Sequence, residues 1–188
     1  MKTQPKNPAN GHAIVIGGSM AGLLAARILS DHFGHVTLIE RDPVQDQPEA
    51  RKGQPHTRHL HGLLAKGLAE ISQLFPDIKQ ALVDGGAIMG DMGATMRWYQ
   101  FGGYKQQFAS GMSGMLMSRP FLEWQIRRRV LALTNVTFLA ACDVEGLLTT
   151  PDQCRVTGVH VVHRLAENRA EKLTADLVVD ASGRGSAS

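Results

Sequence analysis

Cysteine is scarce in this chain of 188 residues: Cys142 and Cys154 are its only two. Two thiols cannot build a disulfide scaffold, and with no export signal they point to a reducing, cytoplasmic setting. The opening residues, Met1 to Asn10, are polar and carry Pro5 and Pro8. They read as a flexible arm over residues 1–11, not as a secretory apolar region. No apolar run approaches the roughly 18–20 residues that cross a bilayer, so no membrane partner is expected. Charge of one sign is also lacking. A net +3 suits an anionic cofactor but does not call for nucleic acid. Repeats and low-complexity tracts are absent. Ligand sets for a metal are absent too: His56, His59 and His61 fall close together, but no cysteine or carboxylate stands beside them at ligand spacing.

What the chain does have is a short stretch that organises the rest. Ala13 to Ile16 is apolar, Gly17-Gly18-Ser19-Met20-Ala21-Gly22 is small and glycine-rich, and a helical pattern follows from Ala21. Strand, glycine turn and helix present backbone N–H groups and a positive helix end to a phosphate. His35 to Glu40 reads as the next strand, which makes a βαβ start to a parallel sheet. Glu40 stands 18 residues after Gly22. The dinucleotide fingerprint puts an acid about 20 residues beyond its glycines, where it accepts hydrogen bonds from a pair of ribose hydroxyls. Gly17 and Gly22 fill the first and third glycine positions, and Ser19 takes the second. Ala26 supplies the small residue one turn on. The combination predicts a dinucleotide site but does not separate FAD from NAD.

Further along, residues 41–58 read as a loop and Gly62 to Phe75 as a helix, with a short helix over Ile78–Val83. Residues 87–117 hold six of the eight methionines and half of the aromatics. They read either as adaptable core or as the wall of a cavity for a flat or hydrophobic substrate. Ser118 is placed as the N-cap of another helix, whose Arg127-Arg128-Arg129 forms a solvated face. Asn135–Leu139 is expected as a third parallel strand. Asp143–Thr149 and Arg155–Arg164 form an antiparallel hairpin, and Ala175–Ala181 is a final parallel strand. It runs into a second turn at Ser182-Gly183, at the sheet edge where ligands bind. The fold expected is therefore α/β: a Rossmann-like domain over residues 12–188, a parallel sheet with helices and one antiparallel excursion.

Taken in order, Gly17–Gly22, Glu40-Arg41-Asp42, the Arg51–His61 loop, Ser118-Arg119-Pro120 and Asp176–Ser186 resemble the N-terminal half of the FAD-dependent monooxygenases. The similarity is to the para-hydroxybenzoate hydroxylase and polyprenyl-methoxyphenol hydroxylase type. The resemblance implies that Gly17, Gly18, Ser19, Met20, Ala21 and Gly22 hold the FAD pyrophosphate. It implies that Glu40 holds the adenosine ribose, with Arg41 beside it. Arg51 and Arg119 take the place of arginines that point toward the cofactor. Val144 offers its backbone to the adenine, and Ser182-Gly183 lies near the pyrophosphate. A serine at 182 stands where the hydroxylases carry aspartate, which brings the turn closer to flavin reductase and halogenase relatives. The implied activity is oxygenation of a small organic substrate with NAD(P)H and O2. No side chain stands out as catalytic acid, base or nucleophile. Because such enzymes continue with a substrate sheet and a flavin-closing segment, the sequence reads as an incomplete FAD-binding domain that a second polypeptide could complete. A non-catalytic nucleotide-binding fragment or partner subunit and an NAD-dependent dehydrogenase are the alternatives.

Overall fold

The computed structural model describes residues 9–44, 46–51, 57 and 61–183. Most of the expected arm, His56 and His59 of the basic loop, and Arg184 to Ser188 lie outside these. In chain order the elements are β1 (Ala9–Ile16), α1 (Met20–Leu29), β2 (Phe33–Ile39), β3 (His61–Leu63), α2 (Ala65–Leu74), α3 (Ile78–Asp84), β4 (Ile88–Asp91), β5 (Tyr99–Gln100), β6 (Gly103–Tyr104), β7 (Ser113–Met117), α4 (Arg119–Leu131), β8 (Val136–Leu139), β9 (Cys142–Thr149), β10 (Val156–His163), β11 (Arg169–Thr174) and β12 (Leu177–Asp180). Among the described residues no helix is long and apolar enough to cross a membrane. The chain divides into two compact units. One comprises Met1–Gln47, Arg51–Gly53 and Ile126–Ser188, the other Pro48–Ala50 and Gln54–Gln125.

The first unit is the expected Rossmann-like frame. Its parallel sheet has the order β12-β1-β2-β8. Ala13 and Val15 of β1 pair with Val36 and Leu38 of β2, and all four are fully buried on one face. The Cβ direction of Gly22 in α1 points at Val15 Cγ1, which places this face under the helix, and Leu23 and Ala26 of α1 are fully buried too. Strand residues alternate between faces, so Ile14 and Ile39 look the other way. There they meet Cys142, Val159 and Val161 of a three-stranded antiparallel sheet, β11-β10-β9. The expected hairpin is thus a three-stranded excursion. β11, Arg-Ala-Glu-Lys-Leu-Thr, is too polar to announce itself, but it pairs with Gly158 to His163 of β10 and turns Leu173 onto the core.

β1 starts at Ala9, inside the segment read as an arm, because Ala9 pairs with Phe33 and His12 with His35. The end of the strand is tied by polar groups. His12 N–H donates to Asp176 Oδ2 at 2.9 Å, and the ring lies 2.7 Å from the Thr174 carbonyl and 2.8 Å from Thr37 Oγ1. Arg127, expected on a solvated face, is buried at 6% exposure and reaches the Gln47 carbonyl, whereas Arg128 is exposed. A long aliphatic stem lets one arginine of the three line a buried surface.

In the second unit Gly62 is not helical. Leu63 pairs with Met115 and His61 with Met117, so pairing with β7 overrides the helical spacing and α2 starts only at Ala65. β3, β7 and β4 form one antiparallel sheet, and β5 with β6 a separate hairpin. The methionine and aromatic stretch is core only in part. Met115 is core, at 1% exposure, while Trp98, Tyr99, Phe101, Tyr104 and Phe108 are all exposed. Ser118 does cap α4, its Oγ accepting the Phe121 N–H at 3.3 Å.

Candidate functional site

The glycine turn is built by steric exclusion. Gly17 has φ +101°, a region that favours glycine. A Cβ on it would lie 2.5 Å from the Ala181 carbonyl oxygen at the end of β12, and a Cβ on Gly22 would lie 1.7 Å from the Gly17 carbonyl oxygen. Glycine at 17 therefore lets β12 approach the turn, and glycine at 22 lets the turn fold onto α1. Gly18, expected to lend flexibility, has a different task. A Cβ there would sit 2.8 Å from Glu40 Cβ and 3.1 Å from the Phe138 ring.

That room lets Glu40 come in against the turn. Its side chain is buried, and Oε2 accepts the Gly18 N–H at 2.9 Å while Oε1 accepts the Asp42 N–H at 2.9 Å. Arg51 closes the arrangement. Its Nη1 lies 2.9 Å from Glu40 Oε2, both side chains being more than nine-tenths buried, and its Nη2 donates to the Gly18 carbonyl at 3.3 Å. A carboxylate offers about four acceptor positions. Three donors take three of them, which leaves one, on Oε1, for a ribose hydroxyl, where a bond to each of two was expected.

Ser19 is the N-cap residue of α1, in extended backbone, and makes no side-chain cap bond. The first bond of the helix runs from Leu23 N–H to Ser19 O at 2.8 Å. The N–H groups of Met20, Ala21 and Gly22 thus precede the intrahelical ladder, at the positive end of the helix dipole. No acidic residue stands in that first turn, and Arg27 stands in the last. This end of α1 is fitted to an anion.

The second turn lies alongside. Ala181 N–H donates to Ile16 O at 2.8 Å, and the Cβ direction of Gly17 meets the Ser182 nitrogen at 3.0 Å. Asp180, which the sequence reading passed over, shapes this turn: its Oδ1 accepts both the Ser182 N–H at 2.8 Å and the Ser182 hydroxyl at 2.6 Å. Gly183 follows with φ +79°. An aspartate closing an apolar strand just before Ser-Gly is the signal that could have found it.

Of the remaining candidates, Arg41 is mostly exposed, 3.9 Å from Asp42 Oδ1. Val144 lies in β9, an edge strand, with its side chain against the Ile14–Ile39 core. Arg119 belongs to the second unit, where its Nη2 lies 3.8 Å from the buried Glu123 carboxylate. The first unit therefore brings together Gly17–Gly22, Glu40, Arg51 and Ser182-Gly183, with Val144 on the adjoining sheet. Among the described residues no His, Cys, Asp and Glu group is arranged to hold a metal.

No family model matches the sequence. Among curated proteins it is similar to Protein Rv3254 of Mycobacterium tuberculosis (strain ATCC 25618 / H37Rv), with 40% identity over 190 residues, which covers 95% of this chain and 39% of that protein. The chain spans about two fifths of that relative's length. Among solved structures it matches PqsL, a probable FAD-dependent monooxygenase from Pseudomonas aeruginosa, with a TM-score of 0.61 and 13% identity over 90% of this chain and 40% of that one. It also matches the myxobacterial chondrochloren halogenase CndH, a variant of FAD-dependent halogenases, with a TM-score of 0.64 and 22% identity over 94% and 38% of the two chains. The tetrameric form of 2-methyl-3-hydroxypyridine-5-carboxylic acid oxygenase gives a TM-score of 0.58 and 20% identity over 90% and 38%. The chain thus has the fold of the FAD-dependent monooxygenases and halogenases over the matched length. Within that fold it presents the glycine turn, the strand-end acid and the second turn in one unit.

Proposed function

We propose that the first unit binds FAD and serves a flavin-dependent monooxygenase acting on a small organic substrate. The observation that carries this is the placing of Glu40 against the glycine turn. Residues 22 apart in sequence meet at 2.9 Å, around glycines where an added Cβ would force its neighbours to shift. The Gly17–Gly22 backbone and the start of α1 hold the pyrophosphate, and Arg51 adds a cation at the turn. Glu40 Oε1 takes a ribose hydroxyl and repels a 2′-phosphate. Val144 lies along the adenine with its backbone, and Ser182-Gly183 borders the pyrophosphate. Arg41 flanks the adenosine. Bound FAD supplies the redox chemistry, with NAD(P)H as electron source and O2 as oxidant. The residues of this chain bind and orient it, and keep water from one side. A second polypeptide, or further chain of the length seen in the relatives, supplies the rest of the flavin site and the substrate pocket.

The test is titration of the purified protein with FAD, followed by flavin fluorescence and absorbance. Saturable binding is expected, weakened about tenfold by Glu40→Gln, which removes a charged acceptor worth 1.5–3 kcal/mol. A protein that gains no flavin spectrum, or that NADH protects from thermal unfolding better than FAD does, would overturn the reading in favour of a dehydrogenase.

A further inference from the structure

Behind Glu40 lies a chain of polar groups, buried at Cys142 and part-exposed at its far end, that the nucleotide site does not itself use. Between β8 and β9 the backbone turns sharply. Ala141, buried at 3% exposure, has φ +54°, a conformation that costs a non-glycine residue energy and persists only where its surroundings hold it. The turn is held on one side by the site. Cys142 N–H donates to Glu40 O at 3.0 Å, and Ala141 N–H to Asp42 O at 3.3 Å. On the other side Arg164 N–H donates to Ala141 O at 2.9 Å.

The side chains add a third hold. Cys142 Sγ lies 3.3 Å from His163 Nδ1 and 3.3 Å from the Ala140 carbonyl, and His163 Nε2 lies 2.9 Å from Glu171 Oε2. Glu171 is steadied in turn by Arg169 at 3.5 Å. With the Glu171 carboxylate accepting the Nε2–H, Nδ1 is an acceptor, and the single thiol proton is shared between it and the Ala140 carbonyl. The groups are ordered as in a nucleophile, base and orienter. The thiol, however, is 3% exposed, and burial, then Asp143 and Glu171, push its pKa up. Its proton stays on sulfur, and it serves as a donor and not as a nucleophile.

We infer that Glu171, His163 and Cys142 form a positioning relay that fixes the strained Ala141 corner and, through the Cys142 and Ala141 amides, the backbone of Glu40 and Asp42. The register supports this. Cys142 sits directly opposite His163 on β10, and Glu171 opposite Val161 two register positions away, so one link crosses each strand boundary of the antiparallel sheet. The relay thereby couples the outer strand β11 to the acid that receives the ribose. None of its side chains touches the nucleotide, and all three act through Glu40. The inference rests on the FAD reading above for its effect on affinity, but not for its effect on the backbone.

The experiment compares His163→Ala, Glu171→Ala and Glu171→Gln with the parent chain. FAD affinity is measured by titration calorimetry, and amide hydrogen exchange is measured at Gly18, Asp42 and Cys142. The two disrupting variants should bind FAD about three- to tenfold more weakly while folded, and exchange faster at those three amides. Glu171→Gln keeps an acceptor for Nε2–H and should return both readouts to within about twofold of the parent. Glu171 lies on the outer strand and is partly exposed, so its variants serve if His163→Ala does not fold. A folded Glu171→Ala with unchanged affinity and exchange altered only in β10 and β11 would overturn the relay. If the parent itself does not bind FAD, the cofactor reading fails separately, and exchange at the three amides still decides the coupling.

Discussion

Gly22→Ala puts the construction of the turn to a quantitative test. The added methyl would stand 1.7 Å from the Gly17 carbonyl oxygen, half the 3.4 Å at which ordinary contact begins. Gly17 cannot retreat. Its N–H is held by Ile39 O at 2.7 Å, and its own open side faces the Ala181 carbonyl. α1 must therefore move off the turn, although Leu23 and Ala26 are fully buried beneath it. Forcing a methylene-sized group into a packed site costs about 1–3 kcal/mol, and a backbone obstacle belongs at the upper end. The better helix propensity of alanine returns up to about 1 kcal/mol. A net loss of about 2 kcal/mol is expected in urea unfolding. Both tryptophans, Trp98 and Trp124, lie in the second unit, so far-UV circular dichroism is the suitable probe. Gly146→Ala is the control. That glycine has open space where its Cβ would stand and no left-handed φ, so it should stay within about 0.5 kcal/mol of the parent. If Gly22→Ala proved as stable as Gly146→Ala, the steric account of the turn would be wrong.

Asp91 accepts the N–H groups of Gly93, Ala94, Ser110 and Gly111 and the Ser110 hydroxyl, which holds its carboxyl well below the ordinary 3.8. Asp91→Asn should lower the unfolding midpoint of the second unit. Because the folded pKa is depressed, this stabilisation is fully present above pH 3.8 and lost as the pH falls toward the folded value, so the gap between parent and variant should narrow below about pH 4. His35 behaves in the same sense. Desolvation where its ring meets Thr37, and then the neighbouring His12 at 4.9 Å between ring centroids, keep its pKa below 6.5. Stability should decline as the pH falls through 6.5, and His35→Asn should flatten that part of the pH profile. An unchanged slope would show that the ring does not titrate against the fold.

The parts of this molecule legible in its sequence are those whose causes are local. A glycine at φ +101°, a glycine facing a carbonyl and an acid closing an apolar strand leave marks at fixed spacing. Those marks located the turn, Glu40 and the parallel strands themselves. β3 was read as helix because Leu63, Leu64 and Leu68 keep helical spacing, while its true partner, Met115, is fifty residues away. β11 went unread because an edge strand with one inward face needs only Leu173 and Glu171 turned inward, too few for a pattern. Arg127 and the exposed aromatics of residues 98–108 depend on what covers them, which no spacing records.

Glu40 shows how the two kinds of information combine. Spacing alone placed it at the ribose and assigned it two hydroxyls. The structure assigns three of its acceptor positions to the protein: one amide before it in sequence, one after it, and a guanidinium from a loop. Each of these donors fixes the carboxylate more firmly and lowers its capacity for ligand. A buried carboxylate cannot be left unpaired without a cost of several kcal/mol, so Arg51 and the two amides are what allow an acid to stand at this depth. On the proposed reading, Glu40 would therefore offer the ribose one bond from a rigid acceptor in place of two. The direction of that remaining position is set by the Gly18 and Asp42 amides, and the Cys142 amide holds the Glu40 carbonyl from behind.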